Sequence, residues 1–332
     1  MKRFQNILFV TGVENSESAL AHALTLAKHN QTGLTLVKAV KQISGVSGYS
    51  IPKETIATIK QDVINKYKGE LEELSESYKG TVKIDIEVHE GIPFISIIQD
   101  VLRNSRDLVI KAVESEGGIS SFFFSSIDMH LLRKCPCPVW LVKPGEPERI
   151  RSIAAAIDFN DLAGKDENHS LNRQILEMAL SLAYREGAQL NVIHAWWPNV
   201  DANGPEYEDH LFLSGGLGIP VTDIDQSIEN YRLVLERRIA KLMDEIKDWN
   251  GEEMFNAVKP RTHLIHGRAR KVIAEYTKKL NADLLVMGTV GRIGVPGFFM
   301  GNTAESILYS IECSVLAVKP EGFISPVVLP ED

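Results

Sequence analysis

The stretch that decides the fold is Asp283–Pro320, which reads DLLVMGTVGRIGVPGFFMGNTAESILYSIECSVLAVKP. A second version of it stands at Asp107–Pro144 and reads DLVIKAVESEGGISSFFFSSIDMHLLRKCPCPVWLVKP. The two copies align without a gap at a spacing of 176 residues, and 11 of the 38 positions are identical. Each copy runs from an apolar segment through a loop and a helical segment into a second apolar segment. The chain therefore contains an internal repeat.

The repeat extends upstream, where the opening apolar run Ile7–Thr11 matches Ile153–Ile157. The spacing between matched segments changes in steps, so insertions fall in loops while the elements between them persist. Apolar runs of strand length alternate with helical segments in both halves, which predicts parallel sheets covered on both faces. We expect two domains, 1–146 and 147–332, with the boundary in Lys143–Ser152, where proline, glycine and charged residues cluster.

The composition is that of a globular protein. The 332 residues are 44% hydrophobic and 24% charged, and the net charge of −8 argues against broad non-specific nucleic-acid binding. No apolar run approaches the ~20 residues of a membrane span. Three cysteines make no disulfide framework and suit a reducing cytosol, so we expect a cytoplasmic protein. The spacing of Cys135-Pro-Cys137 is wrong for a zinc half-site, and we predict small buried residues at Cys137 and at its repeat partner Cys313 rather than a metal site.

The segment Gly288–Thr303 carries the functional signal. A predicted strand, Leu284–Met287, runs into glycines at 288 and 291, and a third glycine at 301 opens a helix. Glycine lets backbone N–H groups approach a phosphate closely, and a helix N-terminus favours an anion. The structural alternative is that Asn302 and Glu305 are simply a capping pair. The pattern alone does not choose between phosphate binding and capping.

The first half provides an internal comparison for this loop. Its residues at the three glycine positions are Ala112, Ser115 and Ser125, while Ser125 and Asp128 retain a capping pair. The fold therefore does not need the glycines. The loop of the first half carries a net charge of −2 and that of the second a net charge of +1, so the first repels phosphate and the second tolerates it. We predict phosphate binding in the second half only.

The tandem repeat and the Gly-x-x-Gly-x9-Gly spacing resemble the universal stress protein family, as does MHLLRKCPCPV at 129–139. The resemblance implies an α/β fold of two tandem Rossmann-like domains (flavodoxin-like, adenine nucleotide alpha hydrolase-like). Each would hold a five-stranded parallel sheet of order 3-2-1-4-5 with helices on both faces. ATP or a similar adenine nucleotide, with or without Mg²⁺, would lie across strands one and four. The fifth strands, Val139–Val142 and Val315–Val318, would pair, and a homodimer is a further option.

The resemblance also assigns residues to the site. Asp158 would contact the adenosine part, and Ala195 would meet adenine through its backbone. The expected nucleotide-binding set is Ile157, Asp158, Ala195, Met287, Gly288, Val290, Gly291, Gly301, Asn302 and Thr303, with Arg268 and Arg292 as candidate phosphate contacts. The family usually has Ser or Thr where Asn302 stands. In the first half Gly12 replaces the first-strand aspartate, so that half looks degenerate as a nucleotide site.

Two other functions stay open at this point. No nucleophile–base arrangement is visible, which favours binding without catalysis, but slow ATP hydrolysis or phosphoryl transfer is an alternative. The aromatic and glycine-rich insert 197–221 either packs over the sheet edge or folds over the ligand as a lid. As a lid it would suit a lipid-like or other small ligand. His194 lies on an apolar strand, where a core or pocket-wall histidine is expected more often than a metal ligand.

Overall fold

The computed structural model describes residues 4–42, 52–114, 124–159, 165–197, 224–290 and 300–330. The first half contains, in chain order, β1 (Ile7–Val10), α1 (Glu17–Asn30), β2 (Leu34–Lys41), α2 (Lys53–Glu76), β3 (Ile84–Gly91), α3 (Pro93–Asn104), β4 (Leu108–Ala112), α4 (Ser126–Lys134) and β5 (Val139–Val142). The second half contains β6 (Ser152–Ala156), α5 (Lys165–Glu186), β7 (Gln189–Trp196), α6 (Ile224–Asn250), α7 (Glu252–Val258), β8 (Arg261–His266), α8 (Ala269–Lys279), β9 (Leu284–Gly288), α9 (Asn302–Ser310) and β10 (Ser314–Val318).

The strands form one ten-stranded sheet of order β3-β2-β1-β4-β5-β10-β9-β6-β7-β8. Counted from its own first strand, each half has the order 3-2-1-4-5, so the predicted fold class is confirmed. Pairing is parallel within each half and antiparallel between β5 and β10, where Leu316 lies opposite Trp140. In the described ranges, no helix is both long and apolar enough to cross a membrane.

The core lies on both faces of the sheet because successive strand residues point to opposite sides. Ile7 and Phe9 of β1 belong to the cluster under α1 and α5, whereas Leu8 and Val10 belong to the cluster under α3, α4, α8 and α9. Both clusters contain residues of both halves. Burial on both faces explains why the strands read as unbroken apolar runs rather than as alternating patterns.

Polar contacts also join the halves, and they follow the repeat. Lys143 and Lys319 occupy equivalent positions after the two fifth strands. The Nζ atom of Lys143 donates to the Ile311 carbonyl at 2.6 Å, and that of Lys319 donates to the Leu132 carbonyl. Both acceptors are carbonyls at the end of the other half's helix, where a cation is favoured. Each half therefore ties its last strand to the other half's α4 or α9.

Candidate functional site

The candidate site lies where β6 and β9 end side by side. The two strands are parallel neighbours, with Ala156 opposite Met287. Ile157 and Asp158 therefore leave the sheet at the same carboxyl edge as Gly288. In an open parallel sheet this edge, at the strand where the order reverses direction, is where ligands bind. The structure thus brings together the strand-one and strand-four residues of the predicted site.

The backbone at Asp158 is held from α5. Asn172, 3% exposed, accepts a hydrogen bond from the Asp158 N–H at 3.0 Å and donates to its carbonyl oxygen at 2.6 Å. The Asp158 residue itself is exposed, whereas Ile157 before it is buried. This two-way bond fixes where the chain turns off β6 and leaves the carboxylate at the rim. Sequence reasoning missed Asn172, which is one of several buried polar residues of α5 and carries no local signal of its own.

Ala195 is half-buried near the end of β7, opposite Ile265. Beside it, His194 is buried and its Nδ1 lies 3.1 Å from the Ile157 carbonyl oxygen. Burial lowers the pKa of His194 below its usual value, so its imidazole is neutral at pH 7. His194 is therefore a wall residue that links β7 to the end of β6.

Two glycines of the loop have different surroundings. A Cβ added to Gly288 would lie 2.8 Å from Cδ2 of Leu171, so packing of α5 against β9 favours a glycine there. Among the described residues, a Cβ added to Gly301 would meet nothing within 4 Å, and its φ of −60° suits any residue. Within that part of the chain, neither packing nor backbone conformation explains Gly301, and the space in front of it is open.

Gly301 is also the N-cap of α9, and no side chain in the described ranges caps this helix. The structural alternative of an Asn302–Glu305 capping pair is therefore not what the structure contains, because Asn302 is already inside the helix. Asn302 and Thr303 are exposed, and the Gly301 N–H donates to the Thr289 carbonyl at 3.2 Å. The first turn of α9 thus presents backbone donors beside the end of β9.

The remaining predicted residues divide into three groups. Met287 and Val290 are buried at the end of β9. Arg268 is exposed at the N-cap of α8, following β8, and does not share the edge between β6 and β9. Gly291, Arg292 and positions 198–221 of the aromatic insert lie outside the described residues. Trp197, the first residue of the insert, stacks on His266 with ring centroids 4.9 Å apart.

The same edge of the first half is occupied by the chain's own side chains. Lys111, at the position of Met287, pairs with Asp128 at 2.8 Å, and their side chains are 2% and 0% exposed. Ser125, at the position of Gly301, forms a full capping box with Asp128, as predicted. A Cβ at Gly12 would lie 1.9 Å from Nζ of Lys38, so this lysine covers the place of the Asp158 side chain.

A buried contact behind the loop was also missed by sequence reasoning. Thr289 is 1% exposed, and its hydroxyl accepts from Lys319 Nζ at 2.5 Å and donates to the Leu132 carbonyl at 3.2 Å. Burial lowers the pKa of Lys319 to about 7. The loop of the second half is therefore anchored to α4 of the first half. Leu132 and Lys319 are 187 residues apart, so local sequence gave no sign of it.

One further cluster among the described residues consists of side chains of the kinds that bind metal ions. Ligand atoms of Glu87, His89 and Asp100 lie within 4.8 Å of one another. Arg106 already pairs with Asp100 at 2.7 Å and Glu87 at 2.9 Å. Burial would raise the pKa of Asp100, but hydrogen bonds from His89 and Arg106 hold it below its usual range. The cluster is a charge network between β3 and α3, and β3 is the outer strand of the first half, not a neighbour of β6 or β9.

Comparisons with known proteins agree on one family. The profile described as "Universal stress protein family" matches residues 3–143 and 225–319. A "Universal stress protein E" of Photorhabdus laumondii is 26% identical over 98% of both chains, and that of Escherichia coli K12 is 27% identical over 100% of this chain and 99% of its own. A functionally unknown protein of Pseudomonas aeruginosa PAO1 has a similar structure, with a TM-score of 0.64 and 24% identity over 96% and 93% of the two chains. A universal stress protein from Archaeoglobus fulgidus gives a TM-score of 0.61, with 17% identity over 95% and 98% of the chains.

Proposed function

Because the chain belongs to the universal stress protein family, we propose that its second half binds ATP or a related adenine nucleotide and that its first half does not. The adenosine part would lie against Asp158 and the backbone at Ala195. The phosphates would lie against Gly301 and the first turn of α9. We also propose that the two halves, 1–146 and 147–332, are separate domains of the same plan, of which only the second keeps its ligand site.

The observation that carries the proposal is the contrast between Gly301 and Ser125. Both residues are N-caps of equivalent helices. Ser125 and Asp128 satisfy the N-terminal donors of α4 from within the chain, and Lys111 neutralises Asp128. Around Gly301, no described residue caps the first turn of α9 with its side chain, and none of them fills the position of a Cβ. An anion is the partner that such a helix N-terminus favours.

The proposal is for binding, with at most slow hydrolysis. Efficient phosphoryl transfer normally uses Mg²⁺ ligands together with an aligned base or a basic clamp. Among the residues assigned to the cleft, Asp158 is the one carboxylate, and its backbone is fixed while its side chain is at the rim. That arrangement suits recognition of a ligand better than activation of a water molecule.

The test is ATP binding by the full chain carrying Gly301→Val. The new side chain points into open space, so the free energy of unfolding should change by no more than about 1 kcal/mol. Binding should weaken by roughly tenfold or more, about 1.4 kcal/mol, because the side chain obstructs the approach of phosphate to the helix N-terminus.

Ser125→Val is the matched control, since it changes the equivalent N-cap of the first half. It should lower the free energy of unfolding by about 1 kcal/mol through loss of the cap and leave ATP affinity unchanged. If Gly301→Val binds ATP as tightly as the natural chain, or if Ser125→Val loses binding, the assignment is wrong.

A further inference from the structure

Cys135 and Cys137 form a close pair of thiols at the end of α4. Their Sγ atoms are 3.6 Å apart, and the side chains are 0% and 8% exposed. The two residues flank Pro136, and the Cys135 N–H closes the last turn of α4 on the Leu131 carbonyl. A disulfide needs an S–S distance of about 2.05 Å, so the two sulfur atoms must approach by roughly 1.5 Å. A change of side-chain rotamers is of that size.

The surroundings make the two thiols unlike. Burial would raise the pKa of Cys135, but the hydrogen bond from Cys137 and the charge of Lys319 lower it overall. Burial raises the pKa of Cys137, and its contact with Cys135 raises it further. Cys135 is therefore the thiol that ionises first, with Cys137 beside it as donor. A low-pKa thiol next to a second thiol is the pairing of an attacking and a resolving cysteine, and since Cys135 is 0% exposed, a peroxide reaches it only when the end of α4 opens locally.

The repeat shows which of the two thiols is particular to the first half. Cys313 occupies the position of Cys137 and is also buried, but the position of Cys135 is held by Ile311. Burial raises the pKa of Cys313 to about 12. One small buried residue before the fifth strand thus recurs in both halves, whereas the second thiol is confined to the first.

We propose that Cys135 and Cys137 are an oxidation site, a dithiol that a small hydroperoxide converts reversibly into a disulfide. The thiolate of Cys135 attacks the terminal peroxide oxygen, the O–O bond breaks, and the departing alkoxide or hydroxide takes up a proton. This leaves Cys135 as a sulfenic acid. The sulfur of Cys137 then attacks the sulfenic sulfur, the S–S bond forms, and the S–O bond breaks to release water. Two thiols and one hydroperoxide thus give one disulfide, one alcohol (or water) and one water.

The position of the pair gives its oxidation a consequence. Lys319 interacts electrostatically with both thiols. It also donates hydrogen bonds to the Leu132 carbonyl of α4 and to the Thr289 hydroxyl behind the candidate phosphate loop. Disulfide formation removes the two ionisable thiols beside Lys319 and moves the end of α4 that holds Thr289. Oxidation should therefore loosen the loop of the second half. This consequence, unlike the disulfide itself, rests on the proposed nucleotide site.

The disulfide is tested on the reduced, folded full chain. After exposure to hydrogen peroxide, acid quench and unfolding, free thiols are alkylated and counted by intact mass, and peptides are mapped. We expect one alkylated thiol, Cys313, a Cys135–Cys137 disulfide, and full recovery of three thiols with dithiothreitol. The variant Cys313→Ala should form the same disulfide, and Cys137→Ala should not form it. Three free thiols, a bond to Cys313 or irreversible sulfinic acid in the natural chain would overturn the proposal.

The link to the loop is tested by measuring ATP affinity before and after oxidation. We expect the oxidised chain to bind roughly threefold to tenfold more weakly, as for the loss of one hydrogen bond, and the ATP affinity of Cys135→Ala, which lacks the attacking thiol, to be unchanged by peroxide. Equal affinity of the two redox forms would overturn the link. If neither form binds ATP while the disulfide forms, the nucleotide site and its link to the dithiol are wrong, and the oxidation site stands on the mass data.

Discussion

Lys111 and Asp128 show what a single pair of residues does to the first half. Their side chains are almost fully buried, and the second half has Met287 and Ala304 at the same positions. Removing one partner of a buried ion pair leaves an uncompensated charge, whereas replacing both by apolar residues is often nearly neutral. The pair therefore fills the edge of the sheet. Replacing only one of the two residues should destabilise the fold much more than replacing both.

We predict that Lys111→Met lowers the free energy of unfolding by about 3–5 kcal/mol, because it strands the Asp128 carboxylate. The double variant Lys111→Met, Asp128→Ala, which copies the second half, should recover most of that loss. The remaining deficit should be about 1 kcal/mol, since the capping box is also lost. Urea unfolding of the natural chain, both single variants and the double variant completes the cycle. Additive losses in the double variant would show that the two residues are not coupled.

Glu146, in the connection between the halves, predicts a pH dependence. Burial raises its pKa to about 7 from 4.5, although the hydrogen bond from the Ser314 N–H to Oε1, at 2.7 Å, opposes the shift. Between these two values the native chain holds a proton that the unfolded chain has lost. The contribution of Glu146 to stability is therefore complete below pH 4.5 and is lost as the pH rises through 7.

Glu146→Gln should remove this dependence, because the amide keeps an acceptor for Ser314 and does not ionise. We expect the variant to gain about 1–2 kcal/mol in unfolding free energy at pH 8, relative to the natural chain, and little at pH 4.5. Urea unfolding at several pH values provides the measurement. An equal difference at both ends of the range would contradict a titration at this residue.

At the scale of the elements, β5 and β10 are the place where the halves meet. They pair antiparallel, and Lys143, Arg133 and Lys319 add contacts across the junction. Separating the halves would leave two exposed strand edges with apolar faces, which is an unfavourable state for a soluble protein.

We therefore predict that fragments 1–146 and 147–332, produced together, form a one-to-one complex. Size-exclusion chromatography with light scattering measures its mass. The same fragments with a proline at Val315, which lies opposite Leu141 and whose N–H faces β5, should remain apart. Fragments that stay separate in their natural sequence would contradict both the proposed boundary and the strength of this junction.

The elements were predictable from the sequence to the extent that they depend on local pattern. Buried strands such as Leu284–Gly288 read as apolar runs, and the repeat allowed each half to check the other. The start of α9 was less predictable, because Gly301 rather than Asn302 takes the extended N-cap conformation. That choice depends on the Gly301 bond to Thr289, which only the folded loop provides.

In the candidate site, too, the features that follow local pattern could be predicted and those that depend on tertiary contacts could not. The strand ends at Asp158 and Gly288 could be placed by aligning the repeats, since parallel strands put their carboxyl ends at one edge. The residues that hold these strand ends in place could not be predicted by alignment. Asn172, Leu171 and Lys319 act through contacts that depend on how the helices pack on the sheet. Gly288 illustrates the difference, since its glycine has a packing reason that no local pattern shows.

At the scale of the whole molecule, the two halves share a plan and differ in what occupies the carboxyl edge of the sheet. The first half closes that edge with Lys38, Lys111 and the capping box at Ser125. In the second half, the described residues leave an open space at the uncapped N-terminus of α9. A duplicated fold with one closed and one open edge predicts one ligand site for each chain.

Isothermal titration of ATP into the natural full chain tests this claim most directly. We predict saturable binding with one nucleotide per chain, because the first-half site is already occupied by the chain's own ion pair. Two nucleotides per chain would mean that the Lys111–Asp128 edge also binds. An absence of binding would mean that the open space at Gly301 is not a nucleotide site.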